Sequence, residues 1–186
     1  MIGLIRSAIT GKHKHPTVED LQNIKYVAAL SFGYRIRTKR KLVVPGPTNN
    51  RLAEIAIKIG QEFNVPIFAQ WEIADAIEAT RRKVDLIRID KQRSDGKYLE
   101  TGEVLHHIKA YVKKQPNLTQ GLVVAHANHV DRVIAQADKI KLNLMPYTNL
   151  PRSFDRKDAQ WWVRNRLLWA LRETLAIIVF KLKKTI

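Results

Sequence analysis

Apolar positions along this chain come in short runs separated by stretches of helical period, and the alternation begins near residue 24. "IKYVAALSF" (Ile24 to Phe32) is apolar enough for a strand buried on both faces, and Gly33 ends it. Pro45, Gly46 and Pro47 then break the chain. Thr48 or Asn49 is placed to cap a helix in which Leu52, Ile55, Ile59 and Phe63 recur at helical spacing. "VPIFAQ" (Val65 to Gln70) predicts a second strand, and Glu72 to Lys83 a second helix with Ile73, Ala76, Ile77 and Thr80 on one face. "VDLIRI" (Val84 to Ile89) alternates apolar and polar, which suits a strand nearer a sheet edge. After a turn cornered at Asp95 and Gly96, the pattern predicts a helix over Leu99 to Lys114. A strand at "GLVVAH", a helix at "HVDRVIAQADKI" and a last strand at "KLNLMPY", closed by Pro146, complete it.

Strands separated by helices of ten or more residues imply βαβ units with right-handed crossovers. The expected fold is therefore a Rossmann-like α/β domain: a mostly parallel sheet of about five strands, helices on both faces and a long C-terminal helix. One domain over residues 1–186 is expected, with 1–23 as an N-terminal extension and 155–184 as the C-terminal helical segment packed on the core.

The two ends bear on location. "MIGLIRSAITGKHKH" lacks the long apolar region and small-residue cleavage site of a signal peptide. No stretch approaches the ~18–20 uninterrupted apolar residues of a membrane span, so a cytoplasmic protein is expected, soluble or peripheral to the membrane. Asp158 to Lys184 is helix-compatible throughout, with Trp161, Trp162 and Trp169 early and "LAIIVF" late. Such a helix either docks on the sheet or rests at an anionic membrane interface, where Trp and a basic flank are favoured.

Charge narrows the partners without choosing among them. Lys and Arg number 33 against 17 Asp and Glu, a formal net charge of +16, which attracts small anions, anionic lipid and nucleic acid alike. The basic residues are spread along the chain with one dense run, "RIRTKRK" (Arg35 to Lys41), so nucleic acid is the weaker expectation. Cysteine is absent, which removes disulfides, thiolate nucleophiles and cysteine-rich metal sites.

In an open parallel sheet, ligands bind beyond the carboxyl ends of the strands at the switch point. If the first strand neighbours "LVVA", then "SFGYR" (Ser31 to Arg35) lies beside "HANH" (His126 to His129). Asn128 or His129 would open a helix there, with Asn128 suited to the cap and Asp131 to the first turn. His126 and His129, or His106 and His107, have spacings that can meet at a metal, but no carboxylate completes an H-E-x-x-H pattern. Imidazole at His129 serves equally as an acid, base or hydrogen-bond donor, or as a plain helix start. No glycine-rich phosphate loop follows any strand, and Ser31 lacks a nucleophile-elbow context.

These pieces together resemble the YdcF/SanA/ElyC-like bacterial domain family. The likeness lies in "NNRLAEIA", "LETGEVL", "AHANHVDRVI" and "LRETLAIIVFKL", over about residues 24–184. It implies a Rossmann-like sheet, association with envelope biology, and a nucleotide-like cofactor such as S-adenosylmethionine; no reaction is settled for the family. By the same resemblance Arg51, Thr101, Glu103, His129 and Arg132 are carried over as site residues, with Arg172 and Glu173 behind them. Two turns that are glycine-rich in the family are here "SFGYRIRTKRK" and "AQWEIAD", and backbone approaches a phosphate less closely without glycine.

The expectation is thus an anionic or nucleotide-like ligand in a crevice formed by Tyr34, Arg35, Thr101, Glu103, His126, Asn128, His129 and Arg132, with Arg51 as a further anion-holding arginine. If a reaction occurs, His129 carries the acid/base step. The alternatives are an internal Arg–Glu pair fixing two helices, and a noncatalytic basic protein acting at an anionic membrane or on nucleic acid.

Overall fold

A computed structural model describes residues 2–12, 15–37, 42–90 and 99–182. The distal part of the basic run (38–41), the turn at Asp95 and Gly96, and the terminal lysines Lys183 and Lys184 lie outside the described residues.

Two short helices come first, α1 (Ile2–Thr10) and α2 (Val18–Gln22). They precede β1 (Tyr26–Ala29), an antiparallel hairpin of β2 (Arg35–Arg37) and β3 (Leu42–Val44), and α3 (Pro47–Phe63). Then follow β4 (Ile67–Gln70), α4 (Trp71–Ala79), β5 (Leu86–Ile89), α5 (Thr101–Val112), β6 (Gly121–Val124), α6 (Val130–Lys139) and β7 (Leu144–Pro146). A 3-10 turn (Trp161–Val163) leads into α7 (Arg166–Leu182).

The sheet is parallel throughout, in the order β5-β4-β1-β6-β7. This is the expected Rossmann-like α/β architecture, and its layout follows from composition. β1, β4 and β6 are buried at every residue and take the centre, whereas β5, with Arg88 on it, is half-buried and takes an edge. Pro146 lies on β7 at the other edge, where a missing ladder donor is tolerated. α3 packs with α4, and α5 with α6, around one apolar core.

Two local expectations are corrected. α3 begins at Pro47 with Gly46 as N-cap, because proline suits a first-turn position that needs no N–H; Thr48 and Asn49 therefore fall inside the helix rather than capping it. Both are buried and reach outward instead: Thr48 Oγ1 donates to Ser153 O, while Asn49 accepts from Phe32 N (2.8 Å) and donates to Gly33 O (2.7 Å). The C-terminal helix does not run from Asp158. It starts at Arg166, where Asn165 Oδ1 accepts the Leu168 N–H and so satisfies a first-turn donor. Within residues 1–23, helix α1 packs on α7 and α6 with Ala8 buried against Ile177.

Among the described residues no helix is long and apolar enough to cross a membrane.

Candidate functional site

β1 pairs directly with β6, with Ala29 opposite Val124, so the loops after the two strands leave side by side at the switch point. The loop after β1 is held from both sides: Ser31 N donates to Gln70 at the end of β4, and Phe32 N donates to Asn49. Phe32 lies flat on the His126 ring, with centroids 3.8 Å apart. A cavity of about 510 Å³ opens above this floor, and Phe32, Tyr34, Thr101, His129, Arg132 and Arg172 help to line it.

At its back, four residues from three helices form a hydrogen-bonded chain. Glu173 of α7, fully buried, accepts from Arg132 Nε of α6. Arg132 Nη2 lies 3.1 Å from His129 Nδ1, and His129 Nε2 lies 3.3 Å from Thr101 Oγ1. A guanidinium only donates, so Nδ1 carries the lone pair and the imidazole proton sits on Nε2, facing Thr101. Burial, then the charge of Arg132, pulls His129 down to about 4, so it is neutral near pH 7. Burial pushes the Glu173 carboxyl up, but Arg132 and His129 outweigh it and hold it well below the usual carboxylate range. In this state His129 can donate a proton to Thr101, while its lone pair is already engaged.

Thr101 is the first residue of α5, so its hydroxyl and the first-turn N–H groups stand together at the positive end of a twelve-residue helix. Arg172 lines the same cavity with its guanidinium over the Trp162 ring (5.4 Å), and also pairs with Glu173 (3.3 Å).

Other expected residues stand elsewhere. His126 is buried beneath Phe32, its Nδ1 accepts from Asn128 N (3.2 Å), and burial, then His129, pulls it down to about 3. Asn128 does not cap α6, a position His129 takes; its amide donates to Ala8 O and Ile9 O and so ties α1 to the site loop. Arg35 makes a two-pronged pair with Asp155 (2.6 and 2.7 Å) outside the cavity lining. Arg51 is exposed on α3 and lines no part of the cavity. Glu103 closes a capping box with Glu100 at the start of α5. The Arg–Glu pair joining two helices is therefore Arg132 with Glu173, not with Glu103. His106 and His107 are exposed on α5, and among the described residues no group of three His, Asp or Glu side chains could hold a metal.

Sequence reasoning missed Gln70, Gln136, Trp162 and Phe180, all of which line the cavity. It also missed Asp158, buried against Gly33, whose carboxyl is raised to about 7 by burial and then by Asp155. No protein-family model, curated protein or solved structure matches this chain.

Proposed function

We propose that this crevice binds a small molecule bearing one anionic group, of nucleotide-like kind, as the resemblance to the YdcF/SanA/ElyC-like family also implies. The observation that carries the reading is the placement of Thr101: its hydroxyl accepts from His129 and so has its own proton to give, at a helix N-terminus beside Arg172. Arg132 and Arg172 supply two positive charges against the single buried carboxylate of Glu173, with the exposed Glu100 offsetting part of the excess at the rim. A single anionic group suits that excess of positive charge. The aromatic wall of Phe32, Trp162, Trp169 and Phe180 suits a flat apolar body attached to it.

A thermal-shift screen with AMP, ribose 5-phosphate and sulfate tests this. A ligand at about 100 times its Kd stabilises the native state by about 2.7 kcal/mol, a clear rise in Tm. The rise should be lost in Thr101→Val and Arg172→Gln; an unchanged rise in both variants removes the crevice as the site.

A second reading, contact with an anionic membrane surface, is favoured by the outer face of α7. Leu167, Leu171, Leu175, Ile178 and Leu182 recur at spacings of three and four and are 40 to 82% exposed. Arg6, Arg164, Arg166 and Lys181 are exposed on the same α1/α7 layer, and the one carboxylate in these two helices, Glu173, is buried. A surface both apolar and cationic is complementary to anionic lipid, and at a net charge of +16 it is not complementary to a second copy of itself. Cosedimentation with phosphatidylglycerol vesicles, and none with phosphatidylcholine vesicles, is the expected result.

A further inference from the structure

One wall of the cavity is built from two stretches of backbone, Gly33 and Tyr34 after β1 and Ala159 and Gln160 before the 3-10 turn, joined where Ala159 N donates to Tyr34 O (2.8 Å). Asp158 stands behind that wall, 2% exposed, and its carboxyl group fastens the two stretches. Oδ1 accepts from Gln160 N (2.7 Å), the Tyr34 N–H reaches the same group, and Oδ2 lies so close over Gly33 that no Cβ would fit. The charges around it are engaged elsewhere. Arg35 of β2 is held by Asp155 through two hydrogen bonds, and Arg164, beyond the 3-10 turn, donates Nε to the Asp158 main-chain carbonyl (2.9 Å). In the same loop Lys157 donates its main-chain N–H to Asp155. The N-cap of α3, Gly46, meets both carboxyl groups: a Cβ there would lie 3.4 Å from Asp155 and 4.0 Å from Asp158. Among the described residues no cation forms an ion pair with the Asp158 carboxyl. A buried carboxyl with a like charge near it and no cation in contact favours the protonated form. Burial, then Asp155, accordingly raises it to about 7, against the pull of the two N–H donors.

We propose that Asp158 is a proton-operated latch on the crevice wall: with its proton it keeps Ala159 and Gln160 against Gly33 and Tyr34, and without it the carboxylate turns toward water and releases them. The inference rests on the crevice reading and adds regulation to it. Only the latched form has the complete wall, so apparent affinity follows the protonated fraction and falls as the medium turns alkaline. The new negative charge behind the wall opposes an anionic ligand in the same direction.

The experiment is calorimetric titration of the full chain and of Asp158→Asn with sulfate, whose charge is constant between pH 6 and 8.5. Wild-type affinity should fall about tenfold or more across that range, whereas Asp158→Asn, a neutral side chain of the same shape, should bind throughout as the wild type does at pH 6. A wild-type affinity that does not change with pH overturns the latch and leaves the crevice reading standing. So does an equal fall in Asp158→Asn, which would assign the titration to another group. No sulfate binding to the wild type at pH 6 overturns the crevice reading and the latch with it. Should Asp158→Asn not fold, hydrogen exchange of the ligand-free wild type decides: protection of the Ala159 and Gln160 amides, corrected for the intrinsic pH dependence of exchange, should drop about tenfold between pH 6 and 8.5. Unchanged protection overturns the latch.

Discussion

Arg132 on α6 and Glu173 on α7 form an ion pair, 41 residues apart in the chain, with both side chains buried, and the arginine passes the connection on to His129. Two charges removed from water depend on each other, so the loss of either one leaves the other uncompensated. Glu173→Leu or Arg132→Met alone should destabilise by about 3–5 kcal/mol. The double variant should cost far less than the sum, because an apolar pair of similar volume needs no desolvation. Urea midpoints of the four proteins give the coupling directly. An additive double variant would mean that the pair is not coupled in solution.

Between pH 4.5 and 6 acid should act on stability chiefly through three buried groups whose signs oppose, while the contribution of Glu173, held low by Arg132, is lost below that range. His126 and His129 ordinarily take a proton near 6.5 but are pulled down to about 3 and about 4, so below pH 6.5 the unfolded chain binds protons the native one refuses. Their stabilisation is present above 6.5 and is lost as pH falls toward 4. Asp158 runs the other way: raised from 3.8 to about 7, it keeps its proton in the native state, and its contribution is lost as pH rises through 7. Between pH 4.5 and 6 the balance is two protons against one, so stability should rise with pH by about 1.4 kcal/mol per unit. Asp158→Asn removes the opposing group and should roughly double that slope. Denaturation midpoints across this range measure it, and an unaltered slope in the variant would remove Asp158 from the account.

Gly33 holds the turn after β1 at φ +71, a left-handed conformation that other residues enter at about 1–2 kcal/mol. A Cβ there would also overlap the Asp158 carboxylate. Gly33→Ala should therefore lose more than about 2 kcal/mol and disturb Phe32, next to it in the cavity floor. Adding Asp158→Ala removes the overlap but not the backbone strain, so part of the loss should return. Full return would mean that the backbone accommodates alanine without penalty.

Which parts of this arrangement were legible from the chain follows from the range of the forces involved. The central strands show themselves in "YVAA" and "GLVV", because a strand covered on both faces reads as a nearly continuous apolar run. Once β1 and β6 are neighbours, the loops that carry Phe32 and His126 to His129 must leave side by side at their carboxyl ends. What the sequence hides are partnerships made across long separations. Arg35 looks like part of a basic run until Asp155, 120 residues later, is seen to hold it. Asn49 looks like a helix cap but instead braces the turn at Phe32 and Gly33. Gln136 sits among polar residues of an amphipathic helix and looks solvated, yet it is buried where α6 borders the cavity. Arg132 is buried against Glu173 of α7, and a helix-to-helix partnership of this kind leaves no local signature.

The exposed stripe on α7 gives the membrane reading a separate test. Partition to an anionic surface has two contributions, apolar burial and attraction of basic residues, and they respond differently. Leu171 and Leu175 are more than half exposed, so Leu171→Glu with Leu175→Glu should leave folding nearly unchanged while removing apolar area and adding charge that lipid repels. Binding to phosphatidylglycerol vesicles should fall at least tenfold. Arg164→Gln with Lys181→Gln should weaken binding by about 1 kcal/mol per charge at low salt, and less as ionic strength rises and the Debye length shrinks. Crevice ligands should bind all these variants as they bind the wild type, because the altered residues line no part of the cavity. Vesicle binding that survives the glutamate pair but vanishes with salt would place the contact on another basic face of the molecule and remove α7 from it.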